Sequence, residues 1–559
     1  MNTDYAALGK QALERLRTTC RRANEVQREV LFDILYKNKN TEFGRRYGFS
    51  EIKTAADYQK KVPLSEYDDY AGDILRIVDG GENILTAEKP VYFCISSGTT
   101  GDEKFIPVTG GDVEMQYLYD YGLVFGAVRE YYGDMDEADI FGKIFQVGEF
   151  GKTYMDDGRI KGIRSGCVYL CADKFGGFDA SDYCVPKELL FPETLEEQLY
   201  LKLRFALAER NLSAIHGVFI NRVAGVMDYL LQNWDMLLND METGAIDESV
   251  ALNETQRRHF AKMLPPDPER ARELRKISLE KSHRGIIKMI WKKMKYILAI
   301  GGKSFPYFTE KVIEYAGEIP ICHYAYAASE CVFGVAEKMN MPDRYILFPE
   351  AVFFEFIPIK EPHKILMMSE IKTGSKYELI FTNRSGLYRY RLGDVVEVVG
   401  WFDEAPVVKY SYRINQAINI AGEKTNCEQL SMAVKHFSEI TGSDVTGYCV
   451  CEDHSESVPG YLFYIECSDN NTIDNAGEIL EECMRNANYD YRSCGNMNEI
   501  APLRLAFLQT GSFRKYEKKL AGTGKPMGQN KLLHFLDTDE KKEFFARQIL
   551  KMEDSLWRK

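Results

Sequence analysis

"PVYFCISSGTTGDEKFIP", residues 90–107, sets an apolar run against a cluster of small hydroxyls and glycines followed by one lysine. Val91 to Ile95 reads as a strand, and the loop after it allows two readings. A glycine-rich loop leaving a strand can bring backbone N–H groups against phosphate oxygens, with hydroxyls adding donors and Lys104 a fixed charge. The same composition also makes an ordinary polar strand-to-helix loop. A Walker loop is excluded, because Gly98 and Gly101 are too close together for that motif and Lys104 is followed by Phe105. The later Gly302-Lys303-Ser304 has Ile297 where the motif needs its first glycine.

The rest of the chain limits these readings. Its 559 residues are 45% hydrophobic, enough for a large core, and the length corresponds to about two to four folding units. A formal net charge of -13 argues against nucleic acid as a partner, since phosphate backbones are bound by basic excess. Residues 256–295 run the other way, rich in lysine and arginine with Asp267, Glu269, Glu273 and Glu280 as their acids. That stretch is either the solvated face of amphipathic helices or an anion-steering surface. Thirteen cysteines form no CxxC pair, which fits reduced thiols inside the cell. Cys449 and Cys451 share a strand face without a histidine at ligand spacing, so a zinc site is not indicated. The N-terminus enters a charged amphipathic pattern, and no apolar run reaches the roughly 18 residues of a membrane span. A soluble, cytoplasmic protein with no membrane partner is expected.

Residues 4 to about 75 read as helices with capping-rich turns. Glu114–Tyr132 is aromatic at helical spacing, and residues 194–241 hold two further helical patterns, the second after "AIHGVFI". Strands dominate between Ile319 and Val408. After "YRINQAINIAGEKTNCEQL" a small α/β pattern follows, with strands at 445–452, 460–467 and 502–509 and a closing helix at 538–556. The expected fold is α/β, a large multi-sheet domain over 1–424 and a small one over 425–559.

Two further segments carry chemistry-bearing residues. "HYAYAASE", 323–330, places Tyr326, Ser329 and Glu330 at the end of an apolar run, as a nucleotide-facing turn or as a strand end with a helix cap. "SGLYRYRLGDVVEVVG", 385–400, places Asp394 behind a glycine in a strand. That carboxylate could pair with Arg389 or Arg391, or accept both hydrogens of a ribose diol.

The order "SSGTTGDEK", "YAASE", "YRLGD" resembles the three nucleotide motifs of the adenylate-forming superfamily. With the flanks of "NRSGLYRYRLGDVVEVVGWFDEAPVVKYSYR" and with "VPLSEYDDY", it resembles one branch, the auxin-responsive Gretchen Hagen acyl-acid amido synthetases, over nearly the whole chain. The resemblance implies an adenylate-forming fold with a mobile C-terminal lid domain. It also implies an AMP-forming ligase that activates a small carboxylic acid with ATP and Mg²⁺ and transfers the acyl group to an amine, an amino acid by analogy. By the same resemblance Ser96, Ser97, Gly98, Thr99, Thr100 and Lys104 hold phosphates, and Gly302 and Ser304 line the same pocket. Tyr326 lies along the adenine, Ser329 near the α-phosphate, and Glu330 ligates magnesium. Asp394 takes the ribose hydroxyls, Arg413 and Lys424 sit near the nucleotide, and Lys531 reaches the reacting carboxylate. Ala328 departs from the family's usual serine. The acid would be held by the helices around Tyr117–Tyr132 and Val218–Trp234, where no motif carries over and the aromatic stripes read as core. A coenzyme A ligase with the same first half-reaction is the nearest rival, and a non-catalytic nucleotide-binding protein the more distant one.

Overall fold

Helix starts in the N-terminal region are set locally. Asp4 caps Tyr5–Cys20 by accepting from the Ala7 amide, and Thr54 with Asp57 closes a capping box on Ala55–Lys61. The computed structural model describes residues 4–97, 103–148, 152–170, 179–190, 198–250, 252–279, 283–302, 306–414, 416–468, 473–521, 535–536 and 538–554. Helix Tyr5–Cys20 packs on a continuous helical rod formed by Gly110–Gln116, Tyr117–Gly122 and Leu123–Tyr132, whose middle piece is a π-turn. Their contact needs glycine: a Cβ on Gly9 would lie 2.6 Å from the Gly126 nitrogen.

The chain divides into two compact units, residues 1–96 with 105–413 and residues 97–104 with 414–559. The join after Arg413 falls at the end of a strand, ahead of the boundary at 424 read from the sequence. In the first unit Lys143–Gln146, Leu212–Phe219, Tyr296–Ile300 and Ile321–Cys322 form a parallel sheet in that order. Gln146, His216, Leu298 and Cys322 face one another in a single cross-strand row. A second sheet is antiparallel with seven strands, in the order Phe353–Pro358, Lys376–Thr382, Tyr390–Phe402, Ala405–Arg413, Tyr345–Leu347, Val332–Ala336 and Ala325–Ala327. A third joins Glu103–Thr109, Pro90–Ser97, Ile160–Gly162 and Lys152–Tyr154. One apolar cluster, including Leu16, Tyr92, Phe333, Phe354 and Tyr388, runs from the N-terminal helices into the antiparallel sheet.

A buried ion pair pins that sheet to the helices. Arg389 sits at φ 50° and is 2% exposed; its Nε and Nη2 donate to the fully buried Glu355 at 3.0–3.2 Å. Its Nη1 donates to the carbonyls of Gln59 and Val62 at the end of helix Ala55–Lys61. The basic stretch 256–295 also turns inward in part. Arg257 donates to the carbonyls of Ile246, Asp247 and Val250, and Arg270, 3% exposed, to those of Leu207 and Ile290.

In the second unit Val445–Asp453, Gly460–Cys467, Arg504–Leu508 and Ile549–Asp554 form a sheet in that order, and Gln416–Ile418 pairs with Thr425–Asn426. The closing helix expected at 538–556 is cut short: Asp539–Ala546 is helical, and Ile549–Asp554 pairs with Arg504–Leu508 as an edge strand. Sheet pairing overrides the helix propensity of this Lys- and Glu-rich tail. Among the described residues no helix is long and apolar enough to cross a membrane.

Arg389→Met leaves the Glu355 charge buried and is expected to cost about 3–5 kcal/mol of stability. In urea unfolding the double variant Arg389→Met/Glu355→Leu should regain most of that loss, and a double variant no better than the single would remove the ion pair as the cause. A second expectation concerns acid. Burial pushes the His216 imidazole down to about 3 from its ordinary 6.5, so the native state stays neutral where the unfolded chain takes up a proton. Stability is therefore lost as pH falls below about 6.5, by about 2 kcal/mol at pH 5. The stability gap between wild type and His216→Gln should shrink by that amount between pH 7 and pH 5; an unchanged gap would mean that the ring is charged in the fold.

Candidate functional site

A bulge aims Asp394. Glu378 pairs with Val395 and Ile380 with Arg391, so Leu392, Gly393 and Asp394 bow out of the ladder, and Gly393 takes φ 83° to allow it. The carboxylate, 2% exposed, faces its cross-strand neighbour: Arg413 Nε donates to Oδ1 at 2.6 Å, and the Tyr326 hydroxyl donates to Oδ2 at 2.9 Å. Neither arginine weighed from the sequence is its partner. Arg389 is committed to Glu355, and Arg391 forks onto Glu378 at 2.8–2.9 Å. Burial works against the charge of Arg413, but Asp394 outweighs it and raises its pKa. Burial and then the Asp394 charge hold the Tyr326 hydroxyl far above its ordinary range, so it remains a donor. The Tyr326 ring packs against Phe333, Tyr345 and Tyr410.

Glu330 lies in the turn between Ala325–Ala327 and Val332–Ala336, with Ser329 half-buried before it. Its carboxylate accepts from the Tyr390 hydroxyl at 3.3 Å, and its carbonyl from Asn383 Nδ2 at 3.1 Å. The Glu330 charge reaches Tyr67, Cys94, Tyr390 and Arg413. Cys94 stands in the strand that enters the glycine-rich loop. Phe105, on the strand that leaves it, exchanges hydrogen bonds with the Tyr67 hydroxyl. The first unit thus brings the flanks of the first motif and the whole of the second and third around one pair of acids.

Ser96 and Ser97 end the strand Pro90–Ser97, and Lys104 is half-buried on Glu103–Thr109. Gly98, Thr99, Thr100, Ser304 and Lys531 lie outside the described residues. Gly302, at φ 86°, donates its N–H to Thr309, and a Cβ there would lie 2.3 Å from Asp343 Oδ1. In the second unit Lys424 takes φ 46°, its amide bonded to Asn419 Oδ1. Beside it Glu423 accepts from the amides of Ile420 and Ala421 and from Tyr461. Sequence reasoning gave no role to Tyr67 or Tyr390. Both fall inside quoted motif flanks, "VPLSEYDDY" and "YRYRLGD", and that proximity was the available signal.

Magnesium and nucleotide can be tested against these donors. Among the described residues no group of three or more His, Cys, Asp or Glu is set to cage a metal. Mg²⁺ is usually held by one or two carboxylates together with substrate phosphates, and Glu330 fits that pattern of a single protein ligand. Asp394, an acceptor held from two sides, fits a diol.

The first unit also holds a cavity with about 490 Å³ of atom-free space, part of it open to solvent. Gln146, His216 and Leu298 of the cross-strand row line it, with Asp120 and Phe125 of the helical rod and Tyr324, two residues before Tyr326. His216 Nε2 lies 3.0 Å from the Tyr296 hydroxyl.

Comparison with known proteins places this architecture. Models for the GH3 family N-terminal, central and C-terminal domains match residues 12–321, 345–413 and 428–540. An "Indole-3-acetic acid-amido synthetase GH3.4" of Arabidopsis thaliana is 27% identical, over 93% of this chain and 91% of that protein. A "Probable indole-3-acetic acid-amido synthetase GH3.11" of Oryza sativa subsp. japonica is 28% identical, over 95% and 94%. The solved structure of "GH3.15 acyl acid amido synthetase" aligns with a TM-score of 0.66 at 23% identity, covering 99% of this chain and 98% of that one, a likeness of fold. With all three family domains matched in order along one chain, this protein belongs to the GH3 family.

Proposed function

We infer that this protein is an ATP-dependent acyl-acid amido synthetase: it activates a carboxylic acid as its adenylate and passes the acyl group to an amine, an amino acid by analogy with its relatives. The observation that carries the reading is the meeting of the motif segments around Glu330 and Asp394, in a chain matched by GH3 domains from residue 12 to residue 540.

A free carboxylate is a poor electrophile, because its charge is delocalised and oxide is an unworkable leaving group. Transfer of AMP to the acid removes both obstacles. The acid oxygen attacks the α-phosphorus, pyrophosphate leaves, and the amine then displaces AMP from the acyl carbon. Charge gathers on phosphate oxygens during the first step, so preorganised donors there stabilise the transition state more than the ground state. Glu330, with the phosphates, would hold Mg²⁺, which would supply charge neutralisation there. Asp394 accepts the ribose hydroxyls, kept in place by Arg413 and Tyr326, while the serines, threonines and Lys104 of the first motif take the phosphates. Gly302, Ser304, Ser329 and the Tyr326 ring complete the nucleotide pocket, and Lys424 and Lys531 act on the reacting groups. Buried free thiols such as Cys20, Cys94 and Cys483 fit work in a reducing cytoplasm.

Purified protein given MgATP, pooled acids and pooled amino acids should yield AMP and amides by mass spectrometry; thioester formed with coenzyme A and no amide would overturn the acceptor. Asp394→Asn should raise the KM for ATP about tenfold or more, the worth of a charged hydrogen bond. Tyr326→Phe should raise it less, because Arg413 still holds the carboxylate. An unchanged KM in both variants would remove Asp394 from the nucleotide site. Lys531→Ala should slow AMP formation with the fold intact, and a wild-type rate would remove that lysine.

A further inference from the structure

The cavity lined by Asp120, Gln146 and Tyr324 sits at the carboxyl ends of a parallel sheet, where open α/β sheets bind their ligands. Gln146 is the last residue of its strand, His216 and Val218 lie near the end of theirs, and Tyr324 follows Ile321–Cys322. Much of the wall is apolar or aromatic: Val124, Phe125, Val218, Leu298 and Tyr324. Against it stand polar atoms without partners. Asp120 Oδ1, Gln146 Oε1 and Ser165 Oγ are out of contact with solvent and have no hydrogen-bond partner, and Gln146 as a whole is 3% exposed. Buried polar groups are seldom left in that state, because each unmade bond is costly. Two of the three, the carboxylate and the amide oxygen, are acceptors, so a ligand that meets them has to carry donors.

Local structure explains why an acid faces this space. The π-turn Tyr117–Gly122 inserts an extra residue into the helical rod and brings the neighbours Asp120 and Tyr121 to the same cavity. Burial pushes the Asp120 carboxyl up to about 6 even though Gln116 and Arg164 pull it down. Water therefore does not solvate it as it would at a surface. The cavity also adjoins the candidate site: the Asp120 charge reaches Tyr324 and Cys331, the residue after Glu330.

Taking this cavity as the acyl subsite that the amido-synthetase reading requires, we propose that Asp120 and Gln146 select acids bearing a hydrogen-bond donor, a hydroxyl or an amino group, on their ring or chain. The inference rests on the amido-synthetase reading and adds to it the class of acid. A second carboxylate is repelled by Asp120, so the donor end of the ligand faces Asp120 and its carboxylate points away. An acid with a wholly apolar tail would leave both acceptors buried and unmet.

Calorimetric titration of the full-length protein with phenylacetate, 4-hydroxyphenylacetate and 4-(aminomethyl)phenylacetate tests this, with AMP release from MgATP measured in parallel. A donor-bearing acid should bind about tenfold or more tighter than phenylacetate. A preference for the hydroxyl identifies a neutral donor, and one for the ammonium an ion pair with Asp120. Asp120→Leu should abolish the preference, and the isosteric Asp120→Asn should keep it for the hydroxyl. Equal or tighter binding of phenylacetate overturns the proposal. So does failure of both donor-bearing acids to bind, which leaves ordered water as the occupant, and so does an equal loss for all three acids in Asp120→Leu. If the binding preference holds but no acid supports AMP release, the amido-synthetase reading falls while the selectivity of the cavity stands.

Discussion

The burial of Arg389 organises the first unit. Its guanidinium is out of water, so every donor it carries has to be met by protein, and the partners come from far apart in the chain: Glu355 in one strand, Gln59 and Val62 at a helix end. An unpaired charge in that position would be costly, so alternative arrangements of these segments are disfavoured. The same residue immediately precedes the strand that carries Asp394. The backbone reinforces the constraint: the Arg389 amide bonds to Thr382 Oγ1 and its carbonyl accepts from Ser65. Placement of the candidate ribose acceptor therefore follows from an ion pair that takes no part in chemistry.

Three short segments were legible in the sequence because their chemistry needs particular residue types close together. The loop at 96–104, the turn around Glu330 and the strand with Asp394 each read as a unit, and the structure brings the described parts of them together. What could not be read was who pairs with whom. "NRSGLYRYR" offers three arginines, and their partners are set by sheet register: Arg384 donates to the Ala351 carbonyl, Arg389 to Glu355, Arg391 to Glu378. Arg413, the partner of Asp394, lies on the adjacent strand, and only the pairing of Tyr390–Phe402 with Ala405–Arg413 puts them opposite each other.

Three other features escaped for different physical reasons. The tail at 549–554 has helix-forming residues, but a sheet edge was available to it, and non-local pairing prevailed over local preference. Asp120 stands among tyrosines in "YLYDYG", a stretch whose aromatic spacing suggests a packed helix face. Its place at the cavity depends on the helix not being regular there, and a π-turn leaves no reliable mark on composition. Gly126, in the same rod, was equally silent, although its contact with Gly9 fixes the distance between the two helices.

The irregular turn at 117–122 also bears on how such a protein could change. One residue too many in a helix can be lost without breaking the rod, and the loss would swing the side chains before it through a fraction of a turn. A single-codon deletion there could withdraw the acid from its chamber and present a neighbour instead, with the sheet and the segments around Glu330 and Asp394 untouched. If the chamber sets ligand preference as proposed, that preference is separable from the residues around Glu330 and Asp394, and divergence of one need not disturb the other.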